Sequence, residues 1–104
     1  MKFNIKHDSK NQKFYTLIGG KECSLKYDKI NEHLFNLKMI FVPKNLRGQG
    51  VAGRLMEFAM NHARKNMIRV KASCTYVEYY LNTHLEHSNL QYRKEELTLP
   101  EPQF

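Results

Sequence analysis

The run Val42-Pro43-Lys44-Asn45-Leu46-Arg47-Gly48-Gln49-Gly50-Val51-Ala52 carries the residues best suited to chemistry. Arg47, Gly50 and Ala52 fit an Arg/Gln-x-x-Gly-x-Gly/Ala spacing, with Gly48, Gln49 and Val51 completing the loop. Small residues let backbone approach a ligand closely. An apolar-rich run precedes this loop and an amphipathic stretch follows it. Its free amides therefore stand at a helix N-terminus, where the positive end of the dipole favours an anion. The chemistry is that of a pyrophosphate cradle. The guanidinium of Arg47 suits a phosphate, and Arg54, one turn into the helix, is a second cation that reads equally well as part of a solvated face. Lys44 reads as a solvated lysine.

A second constellation is Ser73-Cys74-Thr75-Tyr76-Val77, followed by Tyr80 and His84. Cys74 falls between a strand and a helix, where a thiolate is favoured and could act as a nucleophile. A small thiol filling a gap is the alternative. Tyr76 and Tyr80, four apart, share a helix face, and a phenol can donate a proton to a leaving group. Packed aromatics with wetted hydroxyls fit the same spacing. His84 could act as a base or cap its helix. Cys23 reads as core. His7, His33, His62 and His87 show no ligand spacing, so no metal is expected.

These two blocks, in this order, resemble the GNAT superfamily of N-acetyltransferases. The loop resembles its acyl-CoA pyrophosphate loop, which has a Val five residues before the Arg, a spacing kept by Val42 and Arg47. The second block resembles a small GNAT-like subfamily of minimal acetyltransferases with the signature Cys-x-Tyr-Val-x-x-Tyr-x-x-x-His-Pro-Glu-Tyr. This chain departs from it with Leu85 in place of Pro and His87 in place of Tyr. The resemblance covers roughly residues 33 to 90 and implies acetyl-CoA as cosubstrate. It further implies that the end of the fourth strand splays from the fifth. Backbone at Ile40 and Val42 would then pair with the pantetheine arm, and an amide there would polarise the thioester carbonyl. Cofactor contacts are thus expected from Ile40, Val42, Arg47, Gly48, Gln49, Gly50, Val51, Ala52, Arg54, Cys74 and Tyr76. Catalytic roles are expected from Cys74, Tyr80 and His84.

Periodicity supplies the elements that must position these groups. Strands are expected over 3–7, 13–18, 22–27, 33–42 and 67–72, with turns at Asp8-Ser9-Lys10-Asn11, at Gly19-Gly20 and over 28–32. The fourth strand becomes nearly continuously apolar, as a strand buried on both faces would be. From about Gln49 to Asn66 the period changes, with Val51, Leu55, Phe58, Ala59, His62 and Ala63 on one helical stripe. A shorter helix spans 75–83, and Leu90-Gln91-Tyr92 could add a last short strand. The strand–helix–strand unit makes a right-handed crossover with parallel ends. The expected fold is a GNAT-like α+β domain with a mixed, mostly antiparallel sheet of about five strands and two helices. It lacks the usual helices between the first two strands, which leaves the acceptor side open. Residues 1–94 form this domain, and 95–104 a fraying tail.

Composition bounds the partners. The chain has 104 residues, 41% of them hydrophobic, enough for one modest core. It has no apolar run long enough for a membrane span and no signal-peptide pattern at its N-terminus. Two cysteines without pattern suggest free thiols and a cytoplasmic monomer. A net charge of +7 fits an ordinary lysine-rich surface or an anionic ligand equally, and the phosphate loop moves the weight to CoA; helix-turn-helix spacing, which a nucleic-acid binder could show, is absent. The reading is an acetyl-CoA-dependent N-acetyltransferase acting on a primary amine that the sequence does not identify. A CoA-binding module without turnover and a basic nucleic-acid binder are the alternatives.

Overall fold

The change from a twofold to a 3.6-residue period sets the architecture of the computed structural model, which describes residues 3–92. Strands β1 (Lys6–Asp8), β2 (Lys13–Ile18), β3 (Lys21–Asn31) and β4 (Leu34–Phe41) pair antiparallel in chain order. Helix α1 (Val51–Lys65) then crosses over so that β5 (Arg69–Ala72) joins β4 in parallel, and α2 (Thr75–Thr83) follows. The expected five-stranded mixed sheet is thus present. Only a turn at residues 9–12 links β1 to β2, with no helix between them.

Both helices lie on one face of the sheet, α1 over β2 and β3 and α2 over β4 and β5. The side chains that alternate inward, among them Phe14, Leu25, Tyr27, Phe35, Leu37 and Val70, form the core with Leu55, Val77 and Leu81. Burying each of the large ones contributes about 1.5–3 kcal/mol. The α1 stripe is wider than expected. Met56 and Met60 are fully buried, whereas Phe58 and His62 are half-buried at its margin. The reason is that α2 and the 3-10 turn over Leu85–Leu90 pack on a second flank of α1.

Other expectations need correction. The third strand does not turn at 28–32 but runs to Asn31, because Lys29 and Asn31 still find partners in Phe35 and Leu34. The first strand starts at Lys6 rather than Phe3. The end of β4 is not buried on both faces. Met39 and Phe41 are half-exposed, since a single helical layer leaves the other face uncovered. Leu90-Gln91-Tyr92 forms one bridge, Gln91 to Val70, and not a strand. The tail expected over 95–104 lies outside the described residues.

One irregularity positions the site. Lys26 pairs with Met39 and Tyr27 with Leu37, so Lys38 is a bulged extra residue in β4. At the same level β4 parts from β5. The last bond between them runs from the Ser73 N–H to the Leu37 carbonyl (3.1 Å), and beyond Leu37 the described residues pair β4 with β3 alone.

Candidate active site

The open edge of β4 leads into a cleft of about 450 Å³. Ile40, Phe41 and Val42 form one wall, and Leu46, Arg47, Gly48 and the start of α1 from Gly50 to Gly53 form the other. Tyr76, from the first turn of α2, closes a side. Most of the expected cofactor residues therefore meet in one place: Ile40, Val42, Arg47, Gly48, Gly50, Val51, Ala52 and Tyr76.

The loop is shaped for an anion. Gly48 (φ 82°) and Gly50 (φ 84°) are left-handed, a conformation that costs a residue with a Cβ roughly 1–2 kcal/mol. Gly50 is the N-cap of α1, so no side chain caps the first turn, and no acidic residue stands there to offset the dipole. The first amides of α1 are left for a ligand. Arg47 is fixed rather than free: its Nε donates to the Val42 carbonyl at 2.8 Å, tying the loop to the end of β4. The two terminal guanidinium nitrogens remain for an anion. This bond accounts for the five-residue spacing of Val42 and Arg47.

Five expected residues lie elsewhere. Gln49 is exposed in the loop but is not part of the cleft wall. Arg54 turns along its helix to Glu57 (3.7 Å), as a solvated face would. Tyr80 and His84 line a second cavity of about 350 Å³, which shares only Gly50 and Gly53 with the first. There the two rings stack at 3.7 Å and 9°. Burial, then Glu57, Glu86 and Tyr76, pushes the Tyr80 phenol above its usual range and keeps it protonated. His84 is the C-cap of α2, and its Nδ1 lies 2.9 Å from the Tyr80 carbonyl, to which it donates. The capping alternative describes its contacts. Cys74 is the N-cap of α2 in extended backbone, half-buried against the core and not in the cleft wall. It follows Ser73, where the strands part. The three expected catalytic side chains are thus not gathered in one cavity.

Several wall residues escaped the sequence reading. Gly53, a lone glycine within a helical pattern, faces the Tyr76 hydroxyl: a Cβ there would stand 4.0 Å from it, in ordinary van der Waals contact. Leu46, the one apolar residue of its polar loop, is turned inward by a 3-10 turn over Lys44–Leu46. Both were open to detection. Phe41 was not, because its side follows from the bulge.

His87 has a use of its own here. It is buried, and Arg64 donates from Nη2 to its Nδ1 at 2.9 Å, which requires a neutral ring. Burial, then Arg64, holds its pKa below the ordinary value of 6.5. His7 and His62 are lowered too, first by burial and then by His62 and Lys65 respectively. The unfolded chain therefore takes up more protons than the folded one at these sites. Their stability contribution is present above about pH 6.5 and is lost as pH falls through the lower folded values. The melting temperature is expected to fall as pH drops below about 6.5, and His87→Gln to flatten part of that slope. A Tm that stays constant below that pH would contradict the assignment.

A family model described as GCN5-related N-acetyl-transferase matches residues 13–90. Protein NATD1 of Xenopus tropicalis is 25% identical over 79 residues, covering 74% of this chain and 72% of that protein. In three dimensions, a GCN5-like protein of Staphylococcus aureus solved in solution by NMR superposes with a TM-score of 0.71. The match covers 86% of this chain and 88% of that one, at 24% identity.

Proposed function

The chain belongs to the GCN5-related N-acetyltransferase family, and from that premise we propose that it binds acetyl-CoA in the β4–α1 cleft and acetylates a primary amine. The observation that carries this reading is the meeting of an uncapped, acid-free helix start with an unpaired strand edge in a single cleft. The amides of Gly50 to Ala52 and the Arg47 guanidinium would hold the pyrophosphate. The arm would run back along Val42 and Ile40 as an added strand, with Tyr76 packed beside it.

An N–H on that edge would polarise the thioester carbonyl and stabilise the oxyanion. The neutral amine attacks the carbonyl carbon, a C–N bond forms, and the C–S bond breaks with its electron pair left on sulfur. The proton lost by nitrogen passes through water in the open cleft to the thiolate. Holding amine and thioester together supplies most of the acceleration. Tyr80 and His84, one cavity away, would set the pitch of α2 and so the place of Tyr76.

A second reading, binding without turnover, is favoured by the absence, among the described residues, of a carboxylate or imidazole from the main cleft wall. One pair of measurements separates the two. Acetyl-CoA should raise Tm, since a ligand of the native state stabilises it by mass action. Thiol release over a panel of amines should then exceed the amine-free rate. A thermal shift without thiol release would leave only the binding module, and no shift at millimolar acetyl-CoA would overturn both.

A further inference from the structure

We infer that the uncovered face of the sheet, beside the β4 bulge, docks an acidic polypeptide whose amine is the acceptor. This rests on the acetyltransferase reading and adds to it the class of acceptor.

A shallow cavity of about 500 Å³ lies on that face, next to the turn where β1 meets β2. Lys10, Lys13, Lys26 and Lys38 line it, with Asp28 as the one acid in its wall. Lys38 is the bulged residue, so the cavity adjoins the level at which β4 leaves β5 and the open edge begins. Two of the cations are already neutralised, Lys38 by Asp28 (2.8 Å) and Lys13 by Glu22 (2.9 Å). Lys10 and Lys26 have no acidic partner among the described residues and leave an excess of positive charge at the rim. Such a patch draws an anionic acceptor and repels a cationic one.

The occupant follows from chemistry. Nucleic acid matches the charge but offers no aliphatic amine to a thioester, and a polyamine has the amine but the wrong charge. A small acidic amine would find few enclosing walls on an open sheet face. An extended chain has more to cover. On the same face Tyr15 and Phe41 flank Ser24, and Met39 and Leu17 stand half-exposed or more. This short apolar row continues from the lysines towards the end of β4.

The test uses the full chain and fluorescent peptides of equal length with a free N-terminal amine and an acidic, neutral or basic body. Fluorescence anisotropy at low salt should show the acidic peptide binding tightest. Lys10→Glu/Lys26→Glu should weaken it about tenfold or more while leaving the acetyl-CoA thermal shift unchanged. Thiol release should follow the same order, with the loss appearing in KM. Equal binding of the three bodies would overturn the inference, as would an acidic preference that survives the double substitution. Faster turnover of free aspartate than of the acidic peptide would overturn it in favour of a small-molecule acceptor. Anisotropy needs no turnover. A chain that binds acidic peptide through these lysines yet shows no acetyl-CoA shift would therefore refute the acetyltransferase reading and not the docking surface.

Discussion

Gly50→Val is expected to abolish the rise in Tm that acetyl-CoA gives the native chain, while the substituted protein stays folded. A Cβ at Gly50 has nothing within 4 Å, so packing does not oppose it. The opposition is conformational: φ is 84°, and a β-branched residue there carries roughly 1–3 kcal/mol of strain. Relief of that strain would re-aim the amides at the start of α1, and the valine side chain would stand in the mouth of the cradle. Gly20→Val is the matched control. Its φ is 80°, with the same free space, but it sits in the β2–β3 turn away from the cleft. Both variants should lose comparable stability without ligand, and only Gly50→Val should lose the ligand response. A normal acetyl-CoA shift in Gly50→Val would remove the loop from the binding site.

Cys74→Ala is expected to lower amine acetylation roughly a hundredfold with little change in Tm or in acetyl-CoA binding. Cys74 holds the N-cap position of α2, one residue beyond the last β4–β5 bond, at the apex of the gap into which the thioester would reach. Its backbone is extended, which alanine adopts equally well, and it makes no side-chain capping bond that alanine would forfeit. Intact-mass measurement after incubation with acetyl-CoA then distinguishes two roles. A hydroxylamine-labile acetyl group would mean that the Cys74 thiolate takes the acetyl, releases CoA as thiolate, and is regenerated when the amine attacks. No adduct alongside slow turnover would mean that the thiol touches the acetyl group without bonding to it. Full activity in Cys74→Ala would leave direct transfer alone.

Local patterns along the chain are enough for most of the elements and for the loop. Alternation, the Gly19-Gly20 turn, the stripe on α1 and the glycines before it are local signals, carried by residues within a turn or two of one another. So is the missing helix after β1, because four turn residues cannot hold one. These suffice for the order of the strands, the parallel crossover and the candidate anion cradle at its end.

Where the pairing is irregular, long-range packing sets which way side chains face. The bulge at Lys38 depends on how β4 meets β3, and it turns Met39 and Phe41 outward although their run reads as buried. Tyr76 and Tyr80 look equivalent four residues apart, yet one enters the cleft wall and the other stacks on His84 in the next cavity. His84 as a cap, and Arg47 tied to Val42, are by contrast local outcomes, each ring or guanidinium reaching a backbone carbonyl one turn or so back in the chain. The bare, lysine-rich face exists because both helices chose the same side of the sheet. Periodicity fixes which residues share a face of an element, but what that face meets is set by contacts between residues far apart in the chain.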